Sequence, residues 1–245
     1  MTVDSILVVF FLGLITALAT GLGALPFAFL PQISKSTAAR VNAVAAGLIL
    51  GASSGLIIEG SEYGAWQTLL GAGAGMGFVL AGERLLASRA DVSFGQLSGR
   101  GARQILLLLV VMTIHSFTEG VAVGVAFGGG KKLATLITIA IAVHNIPEGV
   151  AISTVMRARG ASVLKCAGWS IFSSLPQPLM AVPAFVFVEL FEPFLPYGLG
   201  FAAGAMVFMV FLELMPETYE GTSRSTAGLL VSAMLGLMIM FQLFL

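Results

Sequence analysis

His115-Ser116-Phe117-Thr118-Glu119-Gly120-Val121-Ala122 and, twenty-nine residues later, His144-Asn145-Ile146-Pro147-Glu148-Gly149-Val150-Ala151 state one polar phrase twice inside apolar sequence. Five of the eight positions match, and the chain's only two histidines open the two copies. Each copy sits in a hydrophobic run long enough to cross a bilayer, so both read as membrane-spanning helices. On a helix, residues four apart share a face, so each His and its Glu can reach one object. Ser116 lies three residues from Glu119, and Asn145 three from Glu148, so both flank the same face. An ionised carboxylate at bilayer depth costs about 2.5 to 3.5 kcal/mol, and two of them demand a partner. No Lys or Arg lies within a turn of either Glu. A bound divalent cation is the economical counter-charge, and imidazole with carboxylate suits zinc and its neighbours. The plainer alternative, a buried His and Glu bonding two helices together, fits one copy better than two.

Pro147 adds to this reading. A proline within a helix has no N–H and displaces the carbonyl four residues back, here that of Val143, leaving an oxygen beside the histidine and glutamate. Irregular backbone at membrane depth is tolerated only against protein or a watery cavity.

The composition agrees with a membrane chain. Of 245 residues, 58% are apolar and 10% charged, and mean hydropathy is +1.01. These values predict an all-α integral membrane protein with eight spans over about 5–30, 38–59, 64–86, 103–127, 132–156, 162–190, 196–219 and 225–245. A basic linker occupies 87–102, and one transmembrane domain fills 1–245. The fourth and fifth spans form the central metal-binding pair. Formal charge is zero with no basic patch interleaved with aromatics, which gives no sign of nucleic-acid binding. The single cysteine, Cys166, excludes an intrachain disulfide and reads as a packing residue. The N-terminus lacks the positive region of a cleaved signal, so the first run reads as a retained helix.

Ten of the twelve Lys and Arg fall after the odd-numbered spans: Lys35, Arg40, Arg84, Arg89, Arg100, Arg103, Arg157, Arg159, Lys165 and Arg224. The positive-inside rule makes that side cytoplasmic and both termini extracytoplasmic. The opposite side holds Asp4, Glu59, Glu62, Glu189 and Glu192 with Lys131 and Lys132. That acidic face either concentrates cations or is ordinary solvated loop charge.

Glycine ridges mark packing surfaces: Gly47, Gly51 and Gly55 in the second span, Gly71, Gly73, Gly75 and Gly77 in the third, Gly120, Gly124 and Gly128 in the fourth, Gly200 and Gly204 in the seventh. Glu83 and Arg84 read as an interfacial ion pair. The turn Gly128-Gly129-Gly130-Lys131-Lys132 makes the two phrases antiparallel neighbours. Pro176, Pro178 and Pro183 should break the sixth span near its middle, and broken helices point to a transported substrate's site. There Gln177 is either a weak ligand or hydrogen-bond partner, or a packing residue. In the seventh span Glu213 and Glu217 could pass a cation inward, although interfacial solvation accounts for Glu217 equally well.

At the two phrases the chain resembles the ZIP (ZRT/IRT-like) family of divalent-metal transporters, its bacterial and GufA-like branch in particular. The resemblance covers the whole chain, and His144 to Gly149 is its most specific part. It implies a mid-membrane site with His115, Glu119, His144 and Glu148 as principal ligands, and Asn145 supporting an adjoining second position. It also implies inward transport of Zn²⁺ as substrate, with Fe²⁺, Mn²⁺ or Cd²⁺ as alternatives, across the plasma (inner) membrane. Three departures qualify the match. Ser116 and Thr118 stand where members commonly carry Asn and Pro, and Gln177 stands where many carry Glu. The linker lacks the histidine cluster of many members. The first two argue for a weaker or missing second metal position.

The leading reading is therefore a metal transporter and not an enzyme, in contact with membrane lipid, with a homodimer left open. The runner-up is a membrane-embedded zinc-dependent hydrolase. Such enzymes use patterns like His-Glu-x-x-His, which neither phrase fits. A channel or a receptor with structural metal has no distinguishing feature here.

Overall fold

A computed structural model describes residues 3–29, 34–87, 93–94, 97–98, 100–128 and 131–244. The side chains of Asp4, Lys131, Lys132, His144, Glu189 and Glu192 lie outside the described residues, as do Gly129 and Gly130 of the expected turn and most of the linker. Ten helices follow in order among the described residues: α1 (Val3–Leu22), α2 (Lys35–Ala87), α3 (Arg100–Gly128), α4 (Lys131–Arg157), α5 (Val163–Ser174), α6 (Pro176–Val186), α7 (Val188–Phe191), α8 (Leu195–Met209), α9 (Met215–Gly221) and α10 (Arg224–Leu243). The rest is minor: short 3₁₀ turns, a π-helical segment at Val210–Leu214, and an antiparallel ladder pairing Ser93 with Ser98 and Phe94 with Leu97 in the linker. Six stretches are helical, long and apolar enough to cross a membrane.

α1 shows how the sequence faces its surroundings. Leu7, Phe11, Ile15, Leu18 and Leu22 recur at helical spacing and are exposed, whereas Val9, Thr16 and Thr20 on the other face are buried. Apolar outside with small or polar residues inside is what lipid favours: it offers no hydrophobic reward for burying leucine, so small residues make the close contacts.

The 53-residue α2 bends at Gly64, whose backbone is extended (φ 168°, ψ 103°). A Cβ on Gly60 would lie 2.8 Å from Thr68 Oγ1. In a straight helix those residues stand about 12 Å apart along the axis, so the chain turns back sharply there. The second and third expected spans are thus the two arms of one bent helix. The first arm sets Gly47 and Gly51 against Val231 and Met238 of α10; the second sets Gly71 and Gly75 against Tyr197 and Phe201 of α8. Gly73 and Gly77 instead face open space. No ion pair joins Glu83 to Arg84 among the described residues. Adjacent helical residues point apart, which is why that expectation fails.

The expected break in the sixth span lies at Leu175, between α5 and α6. Pro176 cannot donate to the Phe172 carbonyl, and Leu175 N donates to it instead at 3.2 Å. By contrast α4 runs through Pro147. The helices form two groups. α1, α3, α4, α5 and α6 pack on one another; α2, α8, α9 and α10 pack on one another; the groups join where α2 meets α3 and α4, and where α3 meets α8. Cys166 is buried in the first group with its thiol toward the Ser153 carbonyl.

Candidate metal site

α3 and α4 are consecutive and in contact, and the two phrases fall inside them. His115, Glu119 and Glu148 are each about 1% exposed. Their ligand atoms all lie within 4.8 Å of one another. His115 Nε2 stands 2.9 Å from Glu148 Oε1 and 3.4 Å from Glu119 Oε1. Ligand atoms at zinc distances on a tetrahedron are about 3.3 Å apart, so these separations suit one small cation drawn into their midst. The structure therefore brings together three of the four principal residues that the sequence singles out. His144 belongs to α4 one turn before Glu148, and its side chain lies outside the described residues.

The glycine that follows each Glu explains how the carboxylates are held. A Cβ on Gly120 would lie 2.5 Å from the Gln177 carbonyl of α6, and one on Gly149 would lie 1.7 Å from the Thr20 carbonyl of α1. Each Glu-Gly pair thus turns a carboxylate inward while its glycine lets a neighbouring backbone pass close by. Gly13 of α1 plays a similar part, since its Cβ would meet Pro178 Cα at 2.8 Å.

Those close approaches deliver Gln177, which is fully buried. Its Nε2 donates to Glu119 Oε2 at 2.5 Å, and its Oε1 accepts from Asn145 Nδ2 at 3.0 Å. Asn145 Nδ2 also donates to the Thr16 carbonyl at 2.7 Å. Thr20 Oγ1 and Ser174 Oγ are 2.7 Å apart one helical turn further along α1. Gln177 is therefore hydrogen-bonded to both Glu119 and Asn145. Ser116 and Asn145 are buried, and Ser116 Oγ and Asn145 Oδ1 have no hydrogen-bond partner among the described residues.

Glu213 and Glu217 do not join this cluster. Glu213 sits in the π-helical segment, and Glu217 is bound by Arg159 and Asn42. Sequence reasoning missed the Thr16 carbonyl, the Thr20–Ser174 contact and the Arg159 contacts. A backbone acceptor and contacts across more than fifty residues leave no periodic trace. The only available signal was the row of polar residues on the buried face of α1.

The family profile described as ZIP zinc transporter matches residues 91–243, which include both phrases and Gln177. The chain belongs to the ZIP family. A protein of Arabidopsis thaliana, named provisionally as a zinc transporter, is 42% identical over 235 residues, covering 93% of this chain and 38% of the relative. The zinc transporter GufA of Myxococcus xanthus is 30% identical over 241 residues, covering 92% of this chain and 95% of its own length. The zinc transporter ZIPB of Bordetella bronchiseptica is 32% identical over 236 residues, covering 90% and 76% respectively. This ZIP-family chain thus spans well under half of its plant relative and nearly all of its Myxococcus relative. Family and apolar helices together make it a multi-pass membrane protein.

Proposed function

We propose that this chain carries Zn²⁺ across a membrane, toward the cytoplasm, through the cluster between α3 and α4. One observation carries the proposal: an imidazole and two carboxylates from two helices converge, almost fully buried. Two buried carboxylates around one imidazole make a cluster of donors that attracts a divalent cation. Three of the relatives above are named for zinc transport, one of them provisionally. We take His115, Glu119, His144 and Glu148 as ligands, with Asn145 beside them. Fe²⁺, Mn²⁺ and Cd²⁺ suit the same donor set.

The topology that fits this role is a single domain over 1–245. It crosses the plasma (inner) membrane eight times: α1, the two arms of α2, α3, α4, the broken α5–α6 pair, the α8–α9 rod and α10. Both termini are then extracytoplasmic. One principal metal position suits the chain better than two. The Gln177 amide N–H, which cannot coordinate a cation, occupies an oxygen of Glu119. The hydrolase alternative has less support, because neither phrase has the ligand spacing of such an enzyme and the relatives' names are those of transporters.

The test is reconstitution in liposomes loaded with a zinc-sensitive dye. Flux should appear with the parent chain and fall to the protein-free rate in Glu148→Ala and His144→Ala. Wild-type flux in both variants would overturn the site assignment, and no flux from the parent chain would overturn the transport reading.

A further inference from the structure

At the basic end of the molecule, away from the metal cluster, one arginine ties the two helix groups together. α4 ends in a Schellman turn: Ala161 N donates to the Met156 carbonyl at 3.1 Å, and Gly160 N to the Arg157 carbonyl at 3.0 Å. Gly160 supplies the left-handed residue that this turn requires, at φ 85°. The turn fixes Arg159 as the capping residue of α4. Its guanidinium donates to the Val155 carbonyl at 2.8 Å, to Gln104 Oε1 of α3, and to Glu217 Oε1 of α9 at 3.0 Å. The other carboxylate oxygen of Glu217 accepts from Asn42 Nδ2 of α2 at 3.1 Å. Gln104 and Arg159 belong to the group that holds the metal cluster, whereas Asn42 and Glu217 belong to the other.

We infer that the Arg159–Glu217 pair, seated between Gln104 and Asn42, is a latch that closes the path from the metal cluster to the basic face and must part for an ion to leave there. This rests on the transport reading above. Three observations support it. The pair adds a charged link between the two groups to the packing of α2 on α3 and α4 and of α3 on α8. It stands eleven residues along α4 from Glu148, about 16 Å from the ligands. Its side chains are also partly wet, 18% exposed for Arg159 and 30% for Glu217. A fully buried pair would be costly to separate, whereas a half-hydrated one can open and reclose, with water replacing each partner. Glu217 is thus neither a merely solvated interfacial group nor a ligand of the central ion; its counter-ion is supplied by the opposite helix group.

The experiment asks whether the metal cluster opens to the basic side when the latch is removed. Ser116→Cys in a Cys166→Ser chain places one buried thiol on α3 next in sequence to His115, and because Ser116 Oγ has no hydrogen-bond partner among the described residues the exchange breaks none there. A membrane-impermeant methanethiosulfonate is added, without zinc, on the side bearing Arg159, and the labelling rate is read. Arg159→Gln and Glu217→Gln should each raise that rate about fivefold or more, the low end of coupling between sites. Arg159→Lys, which keeps the charge, should stay within about twofold of its parent. The double variant Arg159→Gln/Glu217→Gln should be no faster than either single one, since the two changes break one interaction. Unchanged labelling in both single variants overturns the inference, and so does a double variant whose effect is the product of the singles. Labelling needs no flux, so a chain that fails to carry zinc would sink the transport reading while the latch is still tested on its own.

Discussion

Glu119 is held by two kinds of contact: one oxygen faces His115, and the other takes a proton-bearing amide from Gln177. The amide fixes the carboxylate without competing for the cation, and partners of this sort commonly affect metal affinity ten- to a hundredfold. Gln177→Ala should therefore weaken zinc binding by about tenfold or more, measured by competition with a chelating dye. Gln177→Glu replaces the donor by a second carboxylate beside Glu119 and Asn145. A second bound zinc per chain is the expected stoichiometry, and a ratio that stays at one would count against the depleted second position. At this scale the doubled His-x-x-x-Glu-Gly phrase made the cluster legible, because buried charge inside apolar sequence stands out. The role of Gln177 was not legible, because a neutral amide is equally at home in packing, and its partners come from the distant residues Glu119 and Asn145.

Among the helices, the close approaches of α1 to α4 and of α3 to α6 set the positions of the carboxylates. Gly149→Ala would drive a methyl group into the Thr20 carbonyl, an overlap with backbone that no rotamer relieves. Overpacking typically costs about 1 to 3 kcal/mol, and a backbone clash in a two-helix contact belongs at or above that range. Gly77→Ala meets nothing and should change stability by less than about 0.5 kcal/mol. Thermal unfolding in detergent, followed by size-exclusion fluorescence, compares the two; equal midpoints would show that the α1–α4 contact is not tight. The spacing of the glycines marked their faces as packing surfaces, but the partner of each ridge was not legible, because any small-residue ridge accepts any smooth helix. The break at Leu175 was legible, since proline removes donors whatever the surroundings. The sequence reading leaves 60–63 between two spans that end at 59 and begin at 64, whereas the chain is helical on both sides of a bend at Gly64.

For the whole molecule, two helix groups with the cluster inside one of them suit a carrier whose groups shift against each other, with the Arg159–Glu217 contact as a closing point. Uptake should depend on pH with a definite sign. Protonating imidazole or carboxylate removes the lone pair that binds metal, so zinc affinity falls as pH falls. Zinc influx into liposomes at matched pH on both faces should decline steadily as the medium is acidified below neutrality; an influx that rises with acidity would place the binding groups elsewhere. Orientation and the number of crossings rest on charge bias and helix length, which are properties of sequence that packing alone does not fix.

The central claim is that α3 and α4 jointly hold one divalent ion through His115, Glu119 and Glu148. X-ray absorption at the zinc edge, on the purified chain loaded with one equivalent of zinc, tests it most directly. The predicted spectrum shows only nitrogen and oxygen neighbours at about 2.0 to 2.2 Å with imidazole scattering, weakened in His115→Ala and changed again in Glu148→Ala. A shell unchanged by both substitutions, or one containing sulfur, would contradict it.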